Sequence, residues 1–350
     1  MAEDRIEPKW LAMFEEMFAG LTAVQPGETV AILSETQSRR LLVDLAELAL
    51  SRLGADIFHV VVPSPRVSAP VELRSTGTCL ALAGRPTVVD ALASVKLVVD
   101  LTVEGLLHAP ERKDILARGA RIFMVSNEHP QALERFTIDP ALQQRCVLGA
   151  QMITKASAMH VTSAAGTELH VDLREVVGRG SAGMADKPGM MGYWPAGLCL
   201  CFPKPHSVNG RLVLMPGDAN LTFKRYLESR VVLTVEDDHV VRVDGDGLDA
   251  ELMRSYFEAW GSRDAYAVSH VGWGMNPTAR WDTLVMYDRR DLNCTEQRAF
   301  AGNFLFSTGA NEVAGRFTPC HFDIPMRHCS LRLDDEMIVD RGVLQGALTR

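Results

Sequence analysis

Val95-Lys-Leu-Val-Val-Asp-Leu101, in the first third of the chain, is a short β-rich apolar run that indicates the class of fold. Similar runs lie at Thr29–Leu33, Ile57–Val62 and Ala120–Val125. Between the first two, Ser38–Leu53 has leucines at helical spacing and predicts an amphipathic helix. Short apolar strands separated by helices are typical of a parallel sheet that is covered on both faces. We therefore expect residues 1–155 to form an α/β domain around such a sheet.

The turn after the first of these strands limits what the domain can bind. It has the sequence Ser34-Glu-Thr-Gln-Ser38, and the chain contains neither a Gly-x-Gly-x-x-Gly motif nor P-loop glycines. Such glycines allow nucleotide phosphates to approach the backbone at the start of a helix. The domain is thus predicted to be Rossmann-like in pattern, and a nicotinamide-dependent reaction is not indicated.

Beyond a predicted connecting helix at Asp139–Ala156 the pattern changes. Met159–Leu173 predicts a hairpin with Gly166 in its turn, and Gly178–Trp194, rich in Gly, Met and Pro, predicts a long loop. A helix is expected at Leu248–Trp260, followed by three more strand-like runs. Further strands are predicted at Leu198–Phe202, Arg211–Met215, Val231–Val235 and Val240–Val243. We therefore expect residues 156–350 to form an α+β domain with mainly antiparallel strands.

Composition narrows the class of protein. The 350 residues are 47% hydrophobic and 23% charged, as in ordinary globular proteins, and the net charge of −8 argues against a nucleic-acid partner. No apolar run reaches the roughly 18 residues that span a bilayer, and the N-terminus has no signal-peptide pattern. The seven cysteines include no Cys-x-x-Cys pair, so they are predicted to be small core residues. We expect a cytoplasmic homo-oligomer without a membrane partner.

A candidate metal site lies near the C-terminus, in Thr318-Pro-Cys-His-Phe-Asp323. On a strand, His321 and Asp323 project from the same face because they are two positions apart. With His270 they complete the two-histidine, one-carboxylate set that holds Fe(II) in oxygenases. The same donors also suit zinc, so a zinc hydrolase stays open. His59, His129, His160, His170, His206 and His239 show no partner pattern.

Two resemblances extend over most of the chain. Trp194-Pro-Ala-Gly-Leu-Cys-Leu-Cys-Phe-Pro203 and the later segments around His270, Gly302 and His321 resemble, in order, the metal-binding segments of thermophilic-type leucyl aminopeptidases. By that resemblance, Leu198 and Leu305 stand where those peptidases have metal ligands, and His270 replaces a glutamate. A two-metal hydrolytic site needs both ions, so a peptidase is disfavoured.

A second resemblance is closer and involves Ser269-His-Val-Gly-Trp-Gly274, the segment from Arg298 to Gly309, Thr318–Pro325, Ala182–Gly197 and Leu106–Glu111. These segments resemble the 2,5-dihydroxypyridine 5,6-dioxygenases. The resemblance implies an Fe(II) enzyme that opens the pyridine ring with O2, giving N-formylmaleamate. It also implies that His270, His321 and Asp323 hold the iron and that His108 performs acid–base work.

One position departs from that family. A histidine is expected just before Trp-Pro-Ser-Gly, whereas this chain has Tyr193 before Trp194-Pro-Ala-Gly197. A phenol with a pKa near 10 is a poor base at neutral pH, although it can donate a hydrogen bond. Either Tyr193 orients the substrate while His108 moves protons, or the enzyme cleaves a differently substituted hydroxypyridine. An aminopeptidase-like hydrolase and a catalytically inactive binding protein are the remaining alternatives.

The walls of the substrate pocket are also predicted from these segments. Trp194, Phe304 and Phe306 are expected to form an apolar wall around the substrate ring. Ser307 is expected to hold a polar substituent of that ring, together with Tyr193.

Overall fold

The computed structural model describes residues 5–65 and 80–349. The strands are β1 Thr29–Glu35, β2 Asp56–Val62, β3 Leu97–Leu101, β4 Arg121–Val125, β5 Ala158–Ser163, β6 Glu168–Asp172, β7 Arg179–Ser181, β8 Met191–Trp194, β9 Leu198–Cys201, β10 Val208–Leu214, β11 Ala219–Asn220, β12 Arg225–Tyr226, β13 Val231–Glu236, β14 His239–Asp244, β15 Val268–Gly274, β16 Phe304–Asn311, β17 Arg316–Met326, β18 Cys329–Leu333, β19 Glu336–Asp340 and β20 Val343–Leu344.

The α-helices are α1 Pro8–Met17, α2 Arg40–Arg52, α3 Pro86–Ala93, α4 Arg112–Ala117, α5 Pro130–Leu133, α6 Pro140–Lys155, α7 Leu248–Ala259, α8 Thr283–Met286 and α9 Thr295–Ala299. Among the described residues, no helix is both long enough and apolar enough to cross a bilayer.

The first sheet has the strand order β2-β1-β3-β4-β8, and each strand runs parallel to its neighbours. Alternate residues of its strands enter two separate cores. Val30 and Ile32 of β1 pack with helices α1 and α2, while Ala31 and Leu33 pack on the opposite face with residues of α3 and α4. The predicted α/β fold with a parallel sheet covered on both faces is confirmed.

The fifth strand of this sheet differs from the prediction. Met191–Trp194, within the segment expected to be a long loop, pairs in parallel with β4. A glycine is needed at position 192 of this strand, because a Cβ there would lie 2.1 Å from the carbonyl oxygen of Gly183. The glycine permits close backbone approach. A division of the chain at residue 155/156 therefore separates β8 from the sheet it completes.

The second half contains two larger antiparallel sheets, as expected. One has the order β14-β13-β10-β6-β5-β18-β19-β20, and the other has the order β17-β16-β15-β9-β7. Apolar side chains of the two sheets, with α6 and α7, form one continuous core. The opposite face of the sheet β17-β16-β15-β9-β7 carries the predicted metal ligands and lines a cavity to which the loop after β3 also contributes.

Candidate metal centre and active site

The three predicted metal ligands lie on two strands of one sheet. His321 and Asp323 project from the same face of β17, and His270 projects from β15, with β16 between them. The Nε2 atoms of the two histidines are 3.3 Å apart. Asp323 Oδ1 lies 3.3 Å from His321 Nε2 and 3.6 Å from His270 Nε2. The structure thus brings all three predicted donors together.

These separations fit a single metal ion. Donor atoms about 2.1 Å from one ion lie about 3.0 Å apart at octahedral angles and about 3.4 Å apart at tetrahedral angles. The observed triangle of 3.3–3.6 Å needs only a small contraction. Two imidazole nitrogens and one carboxylate oxygen are also the donor types that suit iron and zinc.

The protonation states of the ligands favour metal binding. Burial lowers the pKa of His270 to about 3, so its imidazole is neutral at neutral pH. Burial alone would raise the pKa of Asp323, but the nearby His321 and Arg298 hold it well below its usual range. A neutral imidazole and an ionised carboxylate are the forms that coordinate metals.

Two further side chains fix the Asp323 carboxylate. Its Oδ2 accepts a hydrogen bond from Arg298 Nε, and its Oδ1 accepts one from the Ser307 hydroxyl. Arg298 also donates from Nη1 to the carbonyl oxygen of Asn293, at 2.9 Å. Ser307 thus touches a predicted metal ligand, whereas it was expected to contact the substrate ring.

His108 comes from the other half of the chain. It lies in the loop between β3 and α4, and its ring centroid is 4.4 Å from that of His321 and 6.4 Å from that of His270. Burial and the neighbouring histidines hold the pKa of His108 well below its usual value, so its imidazole is neutral. The side chain is partly accessible from the cavity, so it can meet a molecule bound beside the predicted metal ligands.

The cavity that contains these groups has a volume of about 440 Å³. Its predicted members are His108, Tyr193, His270, His321 and Asp323. Much of the wall is apolar and is formed by Leu107, Leu116, Met124, Met184, Met190, Met191, Leu198, Leu200, Phe202 and Leu305. Its remaining polar side chains are Glu104, Arg112, Gln143, Arg179, Ser181, Asn293, Thr295 and Arg298.

Tyr193 lies in this cavity at the end of β8. Burial raises the pKa of its phenol well above the usual value of 10, with smaller contributions from Cys146 and Cys199. The group therefore stays neutral and can act as a hydrogen-bond donor or acceptor.

The predicted aromatic wall is not brought to the cavity. Phe304 and Phe306 alternate along β16 with Leu305 and Ser307, so their rings enter the core between the two antiparallel sheets. Trp194 packs with Phe136 in the core of the first sheet, at a ring distance of 5.9 Å. Phe202 does line the cavity, as Tyr193 does, and its ring makes an edge-to-face contact with His270 at a centroid distance of 5.6 Å.

Several site residues were missed in the sequence. Arg298 stands in the segment quoted for the family resemblance, but nothing in its spacing indicates that it would meet Asp323. Glu104 and Asn293 line the cavity from loops. These contacts join segments far apart in the chain, so no local periodicity could reveal them.

Comparison with known proteins places this chain in a family. Residues 9–346 match the family model NicX, described as 2,5-dihydroxypyridine 5,6-dioxygenase. A 2,5-dihydroxypyridine 5,6-dioxygenase of Pseudomonas putida KT2440 is 37% identical over 334 residues, which is 94% of each chain.

Solved structures agree with this match. The structure of 2,5-dihydroxypyridine dioxygenase from Pseudomonas putida KT2440 aligns with a TM-score of 0.91 at 35% identity, covering 97% of this chain and 98% of that one. AmpT from Thermus thermophilus aligns with a TM-score of 0.64 at 12% identity, covering 97% and 99%, and so shares the fold. The resemblance found in the sequence is confirmed: this chain belongs to the 2,5-dihydroxypyridine 5,6-dioxygenase family.

Proposed function

We propose that this protein opens the ring of 2,5-dihydroxypyridine with O2, and that Fe(II) bound by His270, His321 and Asp323 is its cofactor. The observation that carries the proposal is the triangle of three donor atoms 3.3–3.6 Å apart, buried in a cavity of suitable size. The substrate and the reaction in this proposal are those of the family to which the chain belongs. The product would be N-formylmaleamate.

The atoms balance without another reductant. The bond between ring carbons 5 and 6 breaks, and both atoms of O2 enter the product. When bound, Fe(II) supplies open coordination positions and the redox chemistry that lets an electron-rich ring react with O2. The substrate itself provides the electrons, so no organic cofactor is required.

The chain's own residues bind and orient the substrate. Its lowered pKa leaves His108 neutral and able to accept a hydrogen bond from a ring hydroxyl. We assign its imidazole to take the proton of that hydroxyl as the ring reacts with O2. Tyr193, also neutral, is assigned to hydrogen-bond a polar substituent of the ring. The leucine and methionine side chains of the cavity exclude water from the reacting atoms.

Ser307 and Arg298 have a different role in this proposal. They hold the Asp323 carboxylate in one orientation, so the ligand is preorganised before the metal binds. Trp194 and Phe304 support the strands from the core and do not touch the substrate.

A two-metal peptidase is not supported by this cavity. Leu198 and Leu305, the positions at which resembling peptidases carry ligands, both line the cavity with apolar side chains. A leucine cannot coordinate a metal, so a second ion would lack protein ligands there. We further propose, from the sequence alone, that the protein acts as a cytoplasmic homo-oligomer.

Oxygen uptake tests the proposed function. Protein reconstituted with Fe(II) without air should consume one O2 for each 2,5-dihydroxypyridine, and the ultraviolet band of the substrate should disappear. His321→Ala should be inactive, while His59→Asn, at a histidine remote from the cavity, should behave as the wild type. Zinc-loaded protein should be inactive because zinc has no redox chemistry. Activity with zinc but not iron would contradict the proposal.

A further inference from the structure

A second group of metal-ligating side chains lies on the β5–β6 hairpin, away from the cavity. His160 on β5 is directly opposite His170 on β6, and Glu168 is two positions before His170 on the same face. The sequence showed no partner pattern for these histidines because their proximity depends on the register of the hairpin.

The three side chains converge on one point. Glu168 Oε1 lies 2.6 Å from His160 Nε2 and 3.2 Å from His170 Nε2. The imidazole rings stack, with centroids 4.2 Å apart and planes inclined by 11°. One nitrogen from each ring and one carboxylate oxygen lie within 4.8 Å of one another. Such a cluster can close around an ion with side-chain rotation alone.

We propose that His160, Glu168 and His170 form a second metal site, which binds a late first-row divalent cation such as Zn²⁺. Imidazole nitrogens and a carboxylate are the usual donors for this class of ion. Three protein ligands leave coordination positions for water molecules, which reach the exposed hairpin from solvent. The side chains are 34%, 52% and 61% exposed for His160, Glu168 and His170, so an ion can reach them from solvent.

The charges around the cluster permit a cation. The pKa of the Glu168 carboxyl is lowered, mainly by a hydrogen bond from His160, so this carboxyl is ionised at neutral pH. Two arginines flank the cluster on neighbouring strands, Arg332 opposite His160 and Arg211 opposite Glu168. Arg332 donates to the carbonyl oxygen of Asp335 at 3.0 Å, and Arg211 donates to that of Gly166 at 2.8 Å. Each guanidinium group keeps its positive charge but donates to a carbonyl oxygen rather than to Glu168.

The protein also contains an ordinary surface ion pair between a histidine and a glutamate, with which the cluster can be compared. His59 Nε2 lies 3.3 Å from Glu47 Oε2. Among the described residues, this pair does not belong to a group of three side chains that could hold a metal ion. An ion pair with one carboxylate needs only one imidazole. At the β5–β6 hairpin a second imidazole stacks on the first, so that two ring nitrogens and one carboxylate oxygen lie within 4.8 Å of one another, a donor set that a metal site requires and an ion pair does not.

The test is calorimetric titration of the iron-loaded protein with ZnCl2, under argon, with iron content measured in the same samples. The wild type and His59→Asn should bind one equivalent of Zn²⁺ without losing iron. His170→Asn and Glu168→Gln should each bind that equivalent at least about tenfold more weakly. Both variants alter exposed side chains, and a thermal melt confirms that they fold.

Two results would overturn the proposal. One is that His170→Asn binds Zn²⁺ with the stoichiometry and affinity of the wild type. The other is that the wild type takes up Zn²⁺ only as iron is released, which would place all binding at the active site.

Discussion

At the scale of single residues, the Asp323 carboxylate is held from two sides, by Ser307 and by Arg298. Such supporting hydrogen bonds orient a ligand and tune the metal. Ser307→Ala should therefore weaken iron binding about 10- to 100-fold while leaving the fold intact. Iron titration monitored by activity measures this effect.

Ser330→Ala is the matched control for this prediction. Ser330 lies on β18 of the neighbouring sheet, and its hydroxyl contacts Asp340. The same deletion there should leave iron affinity unchanged. Equal iron affinity in Ser307→Ala and the wild type would show that the serine does not support the ligand.

Tyr193→Phe tests the role of the neutral phenol. The change removes one hydrogen bond and keeps the ring, and such a bond contributes about 0.5–1.5 kcal/mol. We expect KM for 2,5-dihydroxypyridine to rise by up to about tenfold, with little change in kcat. Because the phenol does not ionise near neutral pH, the pH dependence of kcat/KM should be unchanged. A large loss of kcat with a shifted pH profile would instead make Tyr193 a proton-transfer group.

At this scale the sequence predicts the proposed metal ligands but not the residues that hydrogen-bond to them. A His-x-Asp spacing on a strand is local, so His321 and Asp323 can be foreseen as neighbours. The contact between Arg298 and Asp323 depends on how α9 packs against β17, which no spacing encodes. The predicted roles of Phe304 and Phe306 failed for a related reason, since the side of a strand that meets the core depends on the partner sheet.

At the scale of elements, the loop after β3 determines where His108 lies. Asp100, at the end of β3, is fully buried and accepts hydrogen bonds from Thr102 N at 3.0 Å, Thr102 Oγ1 at 2.6 Å and Leu106 N at 2.6 Å. Burial, opposed by these bonds, raises the pKa of Asp100 to about 6. A single buried carboxyl thus fixes the segment that leads to His108.

Asp100→Asn tests this anchor. Its amide cannot accept from all three donors, so the Leu106 N–H should lose its partner and His108 should shift. We expect a lower kcat with unchanged iron content, because the proposed metal ligands lie on β15 and β17. Loss of iron in this variant would contradict a role confined to the loop.

The same variant has a distinct pH signature. A carboxyl whose pKa is higher in the folded than in the unfolded state stabilises the fold at low pH, and that contribution is lost as pH rises through the folded value. Between about pH 4 and about pH 7, the free energy of unfolding should fall roughly 2 kcal/mol further in the wild type than in Asp100→Asn. Urea unfolding at both pH values measures the difference, and equal pH dependence would exclude a raised pKa at Asp100.

Elements were predicted well where periodicity is strong and poorly where glycine dominates. The strands β1, β2, β3 and β4 and the helices α2 and α6 are apolar or amphipathic runs, and each was foreseen. Strand β8 was not, because Met191–Trp194 is short and lies in a segment rich in Gly and Pro. Its pairing with β4 depends on tertiary contacts that a propensity-based prediction does not contain.

At the scale of the whole molecule, one site is built from both halves of the chain. The proposed metal ligands come from an antiparallel sheet, and His108 comes from the loop beyond the parallel sheet. AmpT shares the fold at 12% identity, and a shared fold does not by itself determine the chemistry. The chemistry depends on the side chains that line the cavity.

Metal removal should therefore affect the entire molecule. An ion that binds only the folded state stabilises it by about 2.7 kcal/mol at a free concentration 100 times Kd. Treatment with a chelator should abolish activity and lower Tm, and Fe(II) should restore both. In His321→Ala, Fe(II) should not raise Tm. An increase in that variant equal to the wild-type increase would place the stabilising iron elsewhere.

The proposed ring cleavage can be followed by the mass of the product that iron-loaded protein forms from 2,5-dihydroxypyridine in an atmosphere of ¹⁸O2. A ring-cleaving dioxygenase predicts N-formylmaleamate that carries two atoms of oxygen-18, with no product from His321→Ala. A product with one labelled atom or none would contradict the proposed reaction.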